Sequence, residues 1–153
     1  MLAVIADDNM KADLIELIRS WRSELEFARI VATRDTGNLI RSRLGIDVEL
    51  VEAGTRGGVV QIASRVIQGA VVAVVALHQP SLMPEWNAGT MALRQVCDIH
   101  NVAFASNRAT ADAVIAAVVL QGSPSSECDG AADWFAPDRQ SVGVTIHSVS
   151  RVK

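Results

Sequence analysis

Residues 71–77 read Val-Val-Ala-Val-Val-Ala-Leu, with no polar residue at either parity. A strand that shows one face to water alternates polar and apolar side chains. A strand apolar at every position is covered on both faces, which is the habit of a central strand in a parallel sheet. Parallel neighbours need crossover connections, so this one run commits the rest of the chain to supplying helices on both sides. It is not a membrane span: the apolar run, Ala70–Leu77, is far short of the ~20 residues that cross a bilayer.

The flanking sequence supplies those helices. Leu2–Ala6 reads as a buried strand, followed by a helix with Leu14, Leu17, Ile18, Trp21 and Leu25 on one face. Ala28–Ala32 is a second strand, and Gly37–Leu44 a short helix ended by Gly45. Val48–Glu52 is a third strand, and a Gly-rich turn leads to a helix through Val59, Ile62, Ala63, Val66 and Ile67. After the central run comes a loop with Pro80 and Pro84, a helix near Thr90–His100, a strand at Val102–Ala105 and a helix over Thr110–Leu120. The expected fold is a Rossmann-like three-layer α/β/α domain with a mainly parallel sheet of about five strands. The domain is expected over 1–120, with 121–153 as a C-terminal tail. Gln121–Arg139 is rich in Gly, Ser, Pro and Asp, and Val142–Val149 carries Val142, Val144, Ile146 and Val149 among polar residues, as an edge strand would. The tail is expected to pack on the domain or on a neighbouring subunit. Trp134-Phe135 forms an apolar pair there that something should cover.

Composition narrows the function. The chain has 153 residues, half of them apolar, which is one domain with a real core. A net charge of −3 carries no basic footprint for nucleic acid, and three Phe, three Trp and no Tyr provide few stacking platforms. Two cysteines, Cys97 and Cys128, make neither a disulfide framework nor a four-thiolate site, and His78, His100 and His147 have no metal-ligand spacing. No metal or cofactor is therefore expected. The N-terminus enters Leu2–Ala6 without a basic flank and does not read as a secretory signal, so a cytoplasmic domain is expected.

In an open parallel sheet, ligands sit beyond the carboxyl ends of the strands. Four polar segments fall there: Asp7-Asp8-Asn9-Met10-Lys11, Thr33-Arg34-Asp35-Thr36-Gly37-Asn38, Ala53-Gly54-Thr55-Arg56-Gly57-Gly58, and Ser106-Asn107-Arg108-Ala109-Thr110. The second and third join a strand to a helix, where unpaired first-turn N–H groups and the helix dipole favour an anion. Lys11, Thr33, Thr36, Gly37, Gly54, Thr55 and Arg56 are the phosphate-binding candidates. Thr36 also reads as a plain N-cap and the glycines as plain turns. Cys97 sits in an apolar helical pattern as a packed thiol, and His78, directly after the central strand, is the histidine placed to line the crevice.

Ala3-Val4-Ile5-Ala6 with Asp8 and Lys11, Ala32-Thr33 with Thr36-Gly37-Asn38-Leu39-Ile40, Gly54 with Gly57-Gly58, and Asn107 with Ala109-Thr110-Ala111-Asp112 occur in this order. Over residues 2–115 the chain resembles the methylglyoxal synthase family, whose fold is shared with the allosteric domain of carbamoyl phosphate synthetase and the IMP cyclohydrolase domain. The family enzyme removes a carbon-bound proton from dihydroxyacetone phosphate and expels inorganic phosphate. The resemblance puts Lys11, Thr33, Thr36 and the Gly54 backbone where the family holds the phosphate, Asp8 on an active-site aspartate, and a homo-oligomer, usually a hexamer, as the assembly. It also marks departures. Val59 stands where the family has its general base, Asp7 replaces a histidine, and Asp35 and Ala53 replace hydroxyl residues. Arg34 and Arg56 are gained, and the loop around Glu85 and Trp86 lacks the family histidine and aspartate.

Two functions follow. One is a divergent phosphate-eliminating carbon–oxygen lyase or isomerase acting on a small phosphorylated keto compound, with Asp8, Asp35 and Asp7, in that order, as base candidates. Arg34 and Arg56 would then clamp a second anionic group. The alternative is a non-catalytic binding or allosteric module for a phosphorylated metabolite. In the blander reading of the charges, Asp7 and Asp35 pair with Arg34 or Arg56 in a solvated rim. A purely structural partner, contacting another enzyme through its tail, is a third and weaker possibility.

Overall fold

The computed structural model describes residues 1–26, 28–79 and 88–122. Glu85, Trp86, Cys128, the Trp134-Phe135 pair, His147 and the expected strand over Val142–Val149 lie outside the described residues. Five strands, β1 (Leu2–Ala6), β2 (Ile30–Thr33), β3 (Glu49–Val51), β4 (Ala73–Leu77) and β5 (Ala103–Ala105), form one sheet in the order β3-β2-β1-β4-β5. All four pairings are parallel. Six helices complete the described fold: α1 (Lys11–Ser20), α2 (Arg22–Leu25), α3 (Arg34–Leu44), α4 (Gly58–Ile67), α5 (Ala88–Ile99) and α6 (Arg108–Gly122).

The Val/Ala run becomes the strand it implies, and every residue of β4 is buried. Pairing starts at Ala73 rather than Val71 because its partner β1 begins at Leu2, in register with Ala73. One apolar layer gathers Leu14, Leu17, Ile18, Ile40 and Ile115 from α1, α3 and α6 on one face of the sheet. The other gathers Val59, Ile62, Val66, Leu93 and Cys97 from α4 and α5. This is the three-layer arrangement expected. Each fully buried Leu or Ile contributes about 1.5–3 kcal/mol, so the two layers hold the sheet rigid and hand all irregular backbone to its two ends.

Most element boundaries shift by one or two residues from the sequence reading, and two differences go further. The first helix breaks at Trp21 (φ −108°, ψ 16°), whose N–H returns to Ile18 O at 3.2 Å, yet Leu25 in α2 stays buried on the expected face. The indole is drawn aside: Trp21 Nε1 donates to Asp112 Oδ1 of α6 at 2.9 Å. The helix expected from Gly37 begins three residues earlier, at Arg34, with Thr33 as its N-cap. It ends as expected, at Gly45 in the left-handed region (φ 66°), where glycine avoids the Cβ clash.

The chain runs from β1 outward to β3, then crosses to β4 on the other side of β1 and continues to β5. The order therefore reverses between β1 and β4. At such a reversal the outgoing connections diverge and leave a crevice beyond the carboxyl ends of the two strands.

Candidate functional site

The reversal point is built from two short segments. Asp7 N–H donates to Leu77 O at 3.0 Å, continuing the β1–β4 ladder one step past the strands. Asn9 Nδ2 then donates to Gln79 Oε1 at 2.9 Å, tying the two outgoing loops together. Between them Asp8–Met10 makes a single 3₁₀ turn that enters α1. Asp8 is almost fully solvent-exposed, and Lys11 Nζ lies 2.5 Å from its Oδ1, with Lys11 largely covered. Hydrogen bonding to Lys11, reinforced by its charge, holds the Asp8 carboxyl below the ordinary carboxylate range. Asp8 is thus ionised at neutral pH, and the two residues singled out for opposite roles are brought together as a pair.

The next crevice wall is the start of α3. Its N-cap, Thr33, makes no side-chain cap hydrogen bond, so the N–H groups of Asp35 and Thr36 keep their anion-binding capacity, that of Arg34 being turned to Glu52 O. Thr33 and Thr36 are both buried, and Thr33 Oγ1 donates to Thr36 Oγ1 at 3.2 Å. Thr36 is therefore inside the first turn and not an N-cap. Gly37 has a different reason to be glycine than ligand approach: a Cβ there would collide with Leu50 Cδ2 and come within 3.3 Å of Ala32 Cβ. It lets α3 sit close on β2 and β3. Asp35 is exposed on the first turn.

The expected rim pairing of Asp7 and Asp35 with Arg34 or Arg56 is not what forms. Arg34 instead turns to Glu52 at the end of β3, Nη2 to Oε1 at 2.6 Å, while its N–H points to Glu52 O at 3.4 Å. Among the described residues Asp7, Asp35 and Arg56 have no ion pair. Glu52 is the site-edge carboxylate that motif reading passes over. Its N–H donates to Gln61 Oε1 at 2.8 Å, and its second oxygen, Oε2, is buried without a hydrogen-bond partner. The available signal is its place as the last residue of the third strand run, where side chains reach the crevice.

After β3, Gly54–Arg56 forms a 3₁₀ turn, with Thr55 and Arg56 exposed. A Cβ on Gly54 would meet nothing within 4 Å, so open space adjoins its backbone. Gly57 is left-handed (φ 92°), and Gly58 packs so tightly that a Cβ would strike Glu52 O. This pair swings the chain back over the strand end and starts α4. Val59 follows immediately and is buried in the α4–α5 apolar layer.

The fourth segment is occupied by its own helix cap. Asn107 Oδ1 accepts from Thr110 N–H at 3.0 Å, and Thr110 Oγ1 donates to Asn107 O at 3.1 Å. Asp112 accepts from both Trp21 and Arg108. The motif around Asn107 thus organises α6 and its contact with α1. His78 follows β4 directly, partly buried, with Nδ1 3.3 Å from Ala76 O. Cys97 is fully buried, and burial, then the neighbouring Asp98, push its thiol up to about 12, so it stays protonated. Among the described residues no group of three or more His, Cys, Asp or Glu is placed to hold a metal ion, and no helix is long and apolar enough to cross a membrane.

No protein-family model matches the chain. Individual relatives do. An uncharacterised protein of Synechocystis is 36% identical over 114 residues, which are 74% of this chain and 26% of that protein, so the chain spans about a quarter of that relative. A methylglyoxal synthase of Clostridium botulinum is 32% identical over 114 residues, 74% of this chain and 96% of the relative. Among solved structures, the crystal structure of methylglyoxal synthase from Elizabethkingia anophelis superimposes with a TM-score of 0.70 at 28% identity, covering 80% of this chain and 77% of that one.

Proposed function

The chain belongs to the methylglyoxal synthase family, and from that premise we propose that it is a phosphate-eliminating carbon–oxygen lyase acting on a small phosphorylated keto compound related to dihydroxyacetone phosphate. The observation that carries the reading is the Asp8–Lys11 pair at the strand-order reversal, beside the uncapped start of α3. It offers a carboxylate already in its basic form and a cation for the phosphate.

The chemistry follows from those two groups. A base removes a proton from the carbon beside the carbonyl, and the C–H electron pair moves into an enediolate. Collapse of that electron pair breaks the adjacent carbon–oxygen bond, inorganic phosphate leaves, and the enol left behind tautomerises to a 2-oxoaldehyde. Asp8 is the first candidate base, with Asp35 and Asp7 behind it. Lys11 and the Asp35 and Thr36 N–H groups in the first turn of α3 take the phosphate, with Thr33 and Thr36 supporting that turn and the Gly54 backbone on its flank. As the phosphate draws Lys11 away, Asp8 loses the partner that depresses its basicity, so substrate binding and base activation are one event.

The divergent part of the proposal rests on Val59. It stands where family resemblance puts the general base, and a valine in the apolar layer accepts no proton. A homo-oligomer, hexameric by resemblance, and a cytoplasmic location complete the reading. The test is inorganic phosphate release from dihydroxyacetone phosphate at high protein concentration. Release is expected, and Asp8→Asn is expected to lower it by about 10²–10⁴-fold. Binding of the phosphate ester with no release would move the chain to the non-catalytic sensor reading.

A further inference from the structure

A groove of about 210 Å³ lies under the amino ends of β4 and β5, at the opposite end of the sheet from Asp8, with Val66, Val71, Val102, Val114, Ala117 and Val118 in its wall. It is smaller than the ~300–1,000 Å³ usual for metabolite sites and suits a bulky side chain. Ile67 and Val72 also line it, and they are 57% and 46% exposed. The helix beside it is unusual: Ala113–Leu120 of α6 is apolar at every position, yet within it only Ile115 is fully buried, and Leu120 is 67% exposed. A helix apolar all round is ordinarily covered all round.

The chain itself says what is at hand to cover it. Val118 is in the groove wall, and α6 ends at Gly122, roughly 6 Å further along the helix axis. Residues 123–153 start from that point. The first large apolar side chains in them are Trp134 and Phe135, and the intervening chain of about twelve residues reaches up to roughly 40 Å, ample to return. We infer that Trp134-Phe135 of the same chain seats in the groove beneath β4 and β5. A Trp ring buries its area at little conformational cost, so one anchored pair suffices to hold the segment after α6 against its own domain.

The test labels the full chain with 5-fluorotryptophan and reads three fluorine resonances, for Trp21, Trp86 and Trp134; Trp134→Phe assigns the third. The seated ring is expected to show a displaced resonance with a reduced solvent-isotope shift. Ile67→Asp and Val72→Asp, both at exposed groove positions, are expected to return it to the free-indole position. The Trp21 resonance, set by its bond to Asp112, reports in the same spectrum that the fold is intact. A Trp134 resonance already at the free position overturns the inference. So does a displaced one that ignores both groove variants, because the ring is then covered elsewhere. Protection lost on dilution in step with a fall in mass by light scattering assigns the groove to another copy's segment and overturns the same-chain seat.

Discussion

The two ends of the sheet are built from the same strands and handle charge in opposite ways. A cavity of about 920 Å³ is at the amino end, where the described residues Arg22, Arg29, Arg41, Glu26, Asp47 and Glu49 line it. There the charges answer one another: Arg29 and Arg65 both reach Glu49, and Arg41 reaches Asp47 and Val48 O. The helix that ends there is closed by Gly45. At the carboxyl end the turns and helices entered at Asp8, Arg34, Gly54 and Gly58 begin without side-chain caps, and the loop that does carry one is after β5, at Asn107. Among the described residues these paired charges gather at one end and the uncapped helix starts at the other, although Arg65 Nη1 at the amino end and Glu52 Oε2 at the carboxyl end are both buried without a hydrogen-bond partner. Anion chemistry needs the uncapped starts, because a neutralised rim has little left to offer a phosphate.

After Asp8→Asn, the largest separation between the ends should come from Lys11. Lys11→Ala removes a charge-assisted contact to phosphate, worth about 1.5–3 kcal/mol, so kcat/KM for phosphate release should fall about 10–100-fold. The same variant carries a spectroscopic signature. With Lys11 present the Asp8 carboxyl titrates below the ordinary range; without it the titration should move up into that range, read by side-chain carbon NMR. The sign is definite: a partner that favours the ionised form lowers the pKa, and its loss raises it. An unchanged Asp8 titration in Lys11→Ala would break the coupling between phosphate binding and the base.

The same contrast separates features that are legible in the amino-acid sequence from those that are not. The parallel sheet is legible because a strand without polar parity, Val71–Leu77, has few alternatives, and the crevice loops because strand ends in such a sheet collect polar residues. The illegible features are set by distant contacts. Thr33-Arg34-Asp35-Thr36 reads as capped at Thr36, yet the helix starts at Arg34 with Thr33 as its N-cap and Thr36 buried in the first turn. Gly37 looks like a ligand-facing glycine until Leu50 is laid against it. Arg34 finds Glu52, eighteen positions on, in place of its acidic neighbour Asp35. Helical periodicity runs on through Trp21 because Leu25 remains buried; the break falls at the residue whose indole bonds Asp112, 91 positions away.

Val59 sharpens the comparison within the carboxyl end. Val59→Asp puts a carboxylate at the start of α4, next to Gly57-Gly58, in a position only 4% exposed. If substitution of the base is what distinguishes this chain from its relatives, phosphate release should rise by about tenfold or more. Burial of the new carboxylate should lower stability by about 1–3 kcal/mol, visible as a drop in the urea midpoint. Lost stability with no gain in rate would mean that Asp8 already does all the proton transfer the site allows.

The smallest effect on activity belongs to the amino end, and its smallness is the point. Arg41 is 45% exposed in the side chain and Asp47 99%, at 3.3 Å, so their pair is solvent-screened and worth at most about 1 kcal/mol. Arg41 also donates to Val48 O at 2.7 Å, closing the turn between α3 and β3. Arg41→Ala should therefore lower stability, read from the urea midpoint, by about 1–3 kcal/mol in all, while phosphate release at the far end stays within about twofold of the parent. The turn it closes feeds β3, and β3 carries Glu52 and Gly54 at its other end. A large loss of activity in Arg41→Ala, with the stability change as expected, would mean that the strands transmit strain between the two ends, and the division of labour between them would have to be given up.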